Sequence, residues 1–232
     1  MRGIGHVVRH RLGLAAHPGM TVIDYHGSRL VEDDRREVVW QSLWRYRFSA
    51  MVRPDDCVLD LGAGYCNFIN CVVARRRIAI DSWEGFPAYV APGIEHKVGS
   101  VTNLDFLDDG AVDFTFASNL FEHLTKDEFS TTLDALRGKL SERGTLTIMQ
   151  PNYRYAFREY FDDFDHKSVY THVSLPDYLI ANGYAVFLVE PRFMPLSVKS
   201  RLPVRPFLIR AWLAVPFKPL GKQMLVCARP KR

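Results

Sequence analysis

Short apolar runs alternate with segments of helical period along most of the chain. The runs predict strands at 57–61, 77–81, 94–99, 112–117, 145–150, 184–190 and 223–228. Apolar residues at helical spacing predict helices over 33–51, 66–75, 84–90, 125–139, 175–182 and 205–214. Strands that alternate with helices indicate an α/β domain, in which a mostly parallel sheet carries helices on both faces.

Capping and turn residues mark the limits of several elements. Thr125 with Glu128 three residues later predicts a capping box at the start of a helix. Asn182-Gly183 predicts a helix end, and 141–144 predicts a turn before a strand. We expect an N-terminal helical segment at 1–54 that covers the functional site. A domain at 55–232 follows, with a basic and apolar insert at about 191–222.

Composition is ordinary for a globular protein, whereas charge is unevenly distributed. The 232 residues are 47% hydrophobic, and the four cysteines have no Cys-x-x-Cys spacing. We therefore expect free thiols in a cytoplasmic protein. The sequence has no run of eighteen apolar residues, so we predict no membrane span. After Glu190 the chain has no acidic residue. This basic tail indicates a phosphate-bearing substrate, an acidic membrane surface or nucleic acid, or else a solvated basic face.

A glycine turn after the first strand carries the most chemical information. Asp60 ends the apolar run, and Gly62 and Gly64 follow at once. Such a turn presents backbone N–H groups to a ligand, and Asp81 at the end of the second strand suits ribose hydroxyls. A dinucleotide site needs a third glycine, which the run from Gly62 to Asn67 lacks. The acid before the glycines instead favours a cofactor with a cationic amino acid end.

These residues resemble class I S-adenosylmethionine-dependent methyltransferases, in their small-molecule branch. Asp60-Leu-Gly62-Ala-Gly64 is similar to the first motif of that family, and Asp81 to its ribose-binding acid. The stretches 113–124, 144–148 and 164–166 are similar to later motifs of the same branch. The resemblance implies a Rossmann-like seven-stranded sheet of order 3-2-1-4-5-7-6 with the last strand antiparallel. It also implies S-adenosylmethionine as methyl donor.

The resemblance assigns a cofactor-binding set at the ends of strands one to four. Its members are Asp60, Gly62, Gly64, Asp81, Ser82, Trp83, Ser100, Val101, Ser118 and Asn119. Two positions depart from the family pattern. Cys66 stands where many members have a third glycine, and Ser100 where many have an adenine-binding Asp. Trp83 is a candidate for stacking on adenine, with ordinary packing as the alternative.

The acceptor half is expected beyond strands four and five. His166, oriented by Asp165, and His123 are candidate catalytic bases toward a hydroxyl. Glu122 and His123 have a second interpretation as supports of their loop. We predict no metal site, because the acids at 162, 163 and 165 are more typical of solvated or capping groups.

The proposed reaction is methyl transfer to a hydroxyl of a sugar, glycan or lipid-linked intermediate. The basic, apolar segment 192–222 predicts peripheral contact with an acidic membrane. An RNA methyltransferase and a non-catalytic cofactor-binding module are the alternatives. Nucleic acid is the less favoured partner, because the tail has few aromatic residues among its basic ones.

Overall fold

The computed structural model describes residues 34–195 and 204–231. One seven-stranded sheet has the order β3-β2-β1-β4-β5-β7-β6, and β7 is antiparallel to both of its neighbours. This confirms the predicted topology. The strands are β1 (Cys57–Leu61), β2 (Arg76–Asp81), β3 (Glu95–Val98), β4 (Val112–Ser118), β5 (Leu140–Pro151), β6 (Tyr184–Met194) and β7 (Gln223–Pro230).

Helices lie on both faces of the sheet, as the pattern predicts. They are α1 (Asp34–Tyr46), α2 (Lys126–Lys139), α3 (Tyr153–Ala156), α4 (Ser174–Ala181) and α5 (Pro206–Ala214). Leu133 of α2 and Leu179 of α4 belong to one apolar core, and Leu43 of α1 and Ile209 of α5 belong to another. The two cores are separated by the sheet, whose inner strands supply side chains to both.

The predicted helix over 66–75 is wrong. In its place the chain forms only a 3₁₀ turn at Ile69–Cys71. Cys66 has a φ of 56°, a left-handed conformation that cannot continue a right-handed helix. The adjoining Val72 and Val73 are β-branched and lose side-chain freedom in a helix. The predicted helix at 84–90 is likewise a short 3₁₀ helix, Phe86–Tyr89.

The predicted turn at 141–144 is also wrong, because these residues lie within β5. The register between β4 and β5 shifts between Val112 and Phe114, which absorbs the extra residues as an irregularity. Gly144 is needed there, since a Cβ atom would lie 2.8 Å from the Val112 carbonyl oxygen. The capping box is confirmed, and Gly183 follows α4 with a φ of 79°.

Helix α1 packs on the same sheet face as α5. Trp40 meets the Phe116 ring edge-on, with ring centroids 5.8 Å apart, and Ile209 of α5 reaches the same core. Strand β6 extends to Met194, so the insert before β7 begins later than the predicted residue 191. The predicted N-terminal segment at 1–54 includes 1–33, and those residues lie outside the described part of the chain.

Candidate functional site

The glycine turn lies at the carboxyl ends of β1 and β2, where ligands of open α/β sheets bind. Gly62 and Gly64 have φ angles of 69° and 50°, which glycine adopts without strain. The N–H groups of Gly62 and Ala63 donate to the Ile80 carbonyl oxygen at 2.9 and 3.1 Å. A Cβ atom on Gly64 would meet nothing within 4 Å. The turn is therefore tied to β2 and borders open space.

Asp81 joins the turn after β1 to the loop after β2. Its carboxylate accepts hydrogen bonds from the Gly64 and Trp83 N–H groups, each at 2.8 Å. The side chain is buried at the end of β2. The acid predicted from the sequence thus lies beside the glycine turn, and it also orients the loop that carries Trp83.

Asp60 is a buried acid one strand away. Only 3% of the residue is exposed. Burial is the largest cause that raises its pKa to about 8, and the negative charge of Asp81 acts in the same direction. A hydrogen bond from the Ile69 backbone opposes them. A buried acid beside a second carboxylate is stabilised in its charged form by a nearby cation, and a ligand ammonium group would supply one.

Trp83 belongs to an aromatic cluster above these strand ends. It stacks on Tyr89 with centroids 5.5 Å apart, and Tyr65 meets it edge-on at 5.2 Å. Gly85 lies directly against the indole, because a Cβ atom there would be 2.7 Å from the ring. The cluster adjoins Asp81 through the Trp83 N–H group. It is an aromatic wall beside the proposed ribose position.

The remaining predicted cofactor residues follow β2, β3 and β4. Ser82 and Ser100 are exposed, Val101 is buried, and the Ser100 hydroxyl bonds that of Thr102 at 2.7 Å. Ser118 ends β4, and Asn119 follows it. The strand order therefore brings the whole set to one edge of the sheet.

Asn119 has a partner that sequence reasoning missed. Its φ is 50°, unusual for a residue other than glycine, and its side-chain oxygen accepts a hydrogen bond from Gln223 at 2.9 Å. Gln150, on the strand next to β7, is buried, and its amide nitrogen and oxygen have no hydrogen-bond partner. Nothing in the local sequence distinguishes either glutamine, since both lie within strands.

The turn after β4 and the segment after β5 bring the two predicted histidines together. The rings of His123 and His166 have centroids 4.8 Å apart. Burial is the largest cause that lowers the pKa of each, and the charge of Asp163 opposes it in both. The backbone of Asp165 hydrogen-bonds His123. The carboxylate that acts most strongly on His166 is thus that of Asp163, whereas the sequence led us to expect Asp165 in that role.

Glu122, next to His123, is more deeply buried than the sequence indicates. It is 0% exposed, and neither carboxyl oxygen has a hydrogen-bond partner. Burial is the largest cause that raises its pKa to about 8. An interaction with its own backbone N–H group opposes this, and the smaller effect of the Asp163 charge adds to it. Its backbone carbonyl accepts from the N–H groups of Lys167 and Ser168 at 2.8 and 3.0 Å. The residue therefore holds two separate segments together.

The aromatic segment after β5 is anchored at Asn152. This buried amide donates to the Pro191 carbonyl oxygen at 2.9 Å and contacts His172 Nδ1 at 3.0 Å. Tyr155 stacks on His172, and the Arg192 guanidinium lies 3.8 Å from the Tyr155 ring centroid. Asn152, which follows β5, thus has a structural role in holding this wall.

A separate cavity of about 530 Å³ lies at the amino ends of β1 and β4. Two of its three arginines already have acidic partners: Arg143 bonds Asp113 at 3.1 Å, and Arg76 bonds Glu95 at 2.8 Å. The third, Arg75, donates to the Asp55 backbone carbonyl oxygen at 3.0 Å. This end of the sheet is opposite the glycine turn. We therefore do not place the functional site there.

Comparison with known proteins identifies the fold. Neither family models nor curated proteins match the sequence. Among solved structures, the chain is similar to a SAM-dependent methyltransferase from Archaeoglobus fulgidus, with a TM-score of 0.63 and 20% identity over 83% of this chain and 93% of that one. It is also similar to one from Mesorhizobium loti, with a TM-score of 0.58 and 16% identity over 81% and 97%. A third, from Clostridium acetobutylicum, has a TM-score of 0.60 and 11% identity over 90% and 96%. The chain therefore has the fold of class I S-adenosylmethionine-dependent methyltransferases.

Proposed function

We propose that this protein transfers the methyl group of S-adenosylmethionine to a hydroxyl of a small molecule. The observation that carries the proposal is the pair of buried acids, Asp60 and Asp81, on either side of the glycine turn. Asp60 would face the cationic amino acid end of the cofactor, and Asp81 the ribose. The open space beside Gly64 leaves the backbone accessible to the ligand. The cluster around Trp83 would supply an apolar wall for adenine.

Methyl transfer from a sulfonium needs alignment more than covalent chemistry. The acceptor oxygen attacks the methyl carbon while the carbon–sulfur bond breaks, so the protein must hold three atoms in line. The proposed donor and acceptor residues come from neighbouring strands, since Asp60 is next to last in β1 and Ser118 is last in the adjacent β4. We place the acceptor beyond β4, where His123 and His166 could take up the hydroxyl proton, with Asp165 beside them.

Support for a particular class of acceptor comes from the C-terminal surface. Phe207, Phe217 and Leu220 are more than half exposed, and the insert that holds them is rich in lysine and arginine. Among the described residues, no helix has the length and apolar character that crossing a membrane requires. A basic surface with exposed aromatic groups suits the surface of an acidic membrane. We therefore propose a sugar, glycan or lipid-linked acceptor that is reached at such a surface.

Calorimetric titration with S-adenosylmethionine tests the donor half. We expect saturable binding by the wild type and a loss of at least tenfold in affinity for Asp60→Ala. Asp177→Ala removes an exposed acid on α4 and serves as the matched control, with unchanged binding expected. Absence of binding by the wild type would favour a non-catalytic module. A screen of sugar and polyprenyl phosphate acceptors with labelled methyl donor then tests the acceptor half.

Vesicle sedimentation tests the membrane contact. We expect binding to acidic vesicles that weakens with salt, and little binding to neutral ones. Phe217→Ser should reduce the bound fraction, because it removes a side chain that is 75% exposed. Phe187→Ser, on β6 outside the insert, is the control for loss of an exposed phenylalanine. Equal binding to both kinds of vesicle would contradict the electrostatic part of the proposal.

A further inference from the structure

Three side chains able to bind a metal ion converge beside the carboxyl end of β4. Glu122, His123 and His166 each place one ligand atom within 4.8 Å of the others. The first two lie in the 3₁₀ turn Phe121–His123, and the third comes from the segment after β5. Lys167 and Ser168 donate backbone hydrogen bonds to Glu122, so the backbone itself brings the two segments together.

Glu122 is the residue of this cluster that most needs a positively charged partner. It is 0% exposed, and both carboxyl oxygens are without a hydrogen-bond partner. An unpaired buried carboxylate is costly, and buried charges are normally paired or bound to a metal. If position 122 were only part of the hydrophobic core, an apolar side chain would be more stable there.

The histidines are held in the way that metal ligands usually are. His166 Nδ1 is buried and has no hydrogen-bond partner, whereas the same ring hydrogen-bonds the Tyr160 backbone. The Nε2–H group of His166 is therefore the donor of that bond, and the lone pair on Nδ1 is available to an ion. His123 is similarly held by the Asp165 backbone. A backbone carbonyl on the second ring nitrogen is typical of histidines that bind metals.

We propose that Glu122, His123 and His166 bind a divalent transition-metal ion. Two imidazoles and one carboxylate form the ligand set of many catalytic zinc and non-haem iron sites, whereas magnesium prefers oxygen ligands alone. Metal bonds of about 2.1 Å place ligand atoms roughly 3.3 Å apart. The distances between ligand atoms, now up to 4.8 Å, would thus have to shorten by as much as roughly 1.5 Å, and side-chain rotation can supply this change. Three protein ligands leave at least one position open.

The open position gives the ion a role in the reaction, and this step rests on the proposed methyl transfer. An acceptor hydroxyl bound there would lose its proton to water more readily, because the ion stabilises the oxyanion. The oxygen would then attack the methyl carbon as the carbon–sulfur bond breaks. In this arrangement the histidines act through the ion, and neither serves as a free base. Metal binding itself does not depend on that reaction.

Titration of the untagged, chelator-treated protein tests the site without any cofactor present. With Zn²⁺ against a chromophoric chelator, we expect one ion per chain at this site, with a Kd below about 1 µM. Glu122→Gln and His166→Gln should each weaken binding by roughly 100-fold. His96→Gln, on β3 at the far edge of the sheet, is the matched control and should bind as the wild type does. Four of the eight histidines lie in 1–33 and could also bind Zn²⁺. The variants, and not the number of bound ions, therefore show which residues bind it.

Cobalt provides a second readout that needs no variant. Co²⁺ bound by this ligand set should give visible absorption distinct from that of the aqueous ion. Wild-type affinity weaker than about 100 µM, or equal affinity in Glu122→Gln and His96→Gln, would overturn the proposal. If Glu122→Gln does not fold, an aqueous cobalt spectrum in the wild type would overturn it as well. S-adenosylmethionine binding is measured separately, so failure of the donor site would leave this result unchanged.

Discussion

The proposed donor and acceptor halves of the site each contain a buried acid, and the surroundings of the two acids differ. Burial raises the pKa of Asp60 and of Glu122 to about 8. Asp60 receives a backbone hydrogen bond from Ile69, and Asp81 beside it is bonded to two N–H groups. Glu122 has no hydrogen-bond partner for either oxygen. The donor half is organised by backbone groups, whereas the acceptor half lacks a partner for its charge.

The two halves therefore need different ligands. The donor acids are held by N–H groups and need one positive group near Asp60. The buried carboxyl group of Glu122 has no hydrogen-bond partner and lies near His123 and His166, so an ion bound by all three side chains would stabilise its charge. Variants that change one half and leave the other unaltered therefore test this difference.

Asp60→Asn should have the largest effect, in opposite directions on binding and stability. S-adenosylmethionine affinity should fall by roughly 100-fold, because the charge that faces the ammonium group is lost. The folded-state pKa of about 8 lies above the unfolded value near 3.8, so ionisation lowers stability as pH rises from about 4 to 8. Asparagine removes that cost, and we expect a gain of about 2 kcal/mol at pH 8.5.

Thermal unfolding at pH 4 and pH 8.5, with calorimetry on the same samples, checks this prediction. The gain should shrink at pH 4, where Asp60 is protonated in the folded protein. A variant that is less stable than the wild type at pH 8.5 would show that the Asp60 carboxylate is stabilised by groups other than a ligand. Zn²⁺ affinity at Glu122 should not change in this variant.

Gly64→Ala and Gly62→Ala should separate ligand clash from backbone strain. Both positions have positive φ, so alanine costs about 1 kcal/mol at each. At Gly62 the new Cβ atom would also lie 2.9 Å from Leu120 Cδ1, whereas at Gly64 it enters open space. We expect the greater loss of stability for Gly62→Ala.

For Gly64→Ala we expect at least a tenfold loss of cofactor affinity alongside that modest loss of stability. Denaturant unfolding and calorimetry measure the two quantities. Unchanged affinity in Gly64→Ala would mean that the open space does not receive the cofactor. Equal stability of the two variants would mean that Leu120 moves aside freely.

Asp113→Asn should have the smallest effect on function, because it lies at the opposite end of the sheet. Burial works against its ionisation, but hydrogen bonds from the Cys57 N–H group, Ser141 and Arg143 outweigh it and lower its pKa. This stabilisation is present above the unfolded pKa and is lost as pH falls through the lower folded value. We expect a loss of about 1 to 2 kcal/mol at pH 7.

Urea unfolding of the wild type and Asp113→Asn at pH 7 and at pH 3 measures this loss, which should decrease at the lower pH. Cofactor and Zn²⁺ affinities should stay at the wild-type values. A loss of cofactor binding would mean that the two ends of the sheet are coupled, against the view that Asp113 only supports the fold.

The sequence was enough to predict that the residues of the proposed donor half lie together, because most of them are local. Asp60, Gly62 and Gly64 lie within five residues, and parallel pairing of β1 with β2 brings Asp81 to the same edge. The wrong helix at 66–75 shows the limit of this reasoning. Helical spacing of apolar residues did not reveal that Cys66 takes a left-handed conformation, which ends helix formation there.

The acceptor half could not be predicted in the same way, because it joins residues that are distant along the chain. Glu122 and His166 meet through backbone bonds to the loop after β5, and no local pattern marks that contact. The sequence did indicate a candidate functional position where Glu122 and His123 follow a strand. Their burial, and the Asn119–Gln223 bond nearby, depend on how several strands end at one edge.

A crystal structure with S-adenosylhomocysteine would test the central claim most directly. It is the product of the proposed transfer and carries the same ribose and amino acid groups. We predict that Asp81 lies within about 3 Å of the ribose hydroxyls, and that the ammonium group lies near Asp60. The Gly64 backbone should border the ligand. A ligand bound elsewhere, or one that leaves Asp60 and Asp81 without contact, would contradict the account.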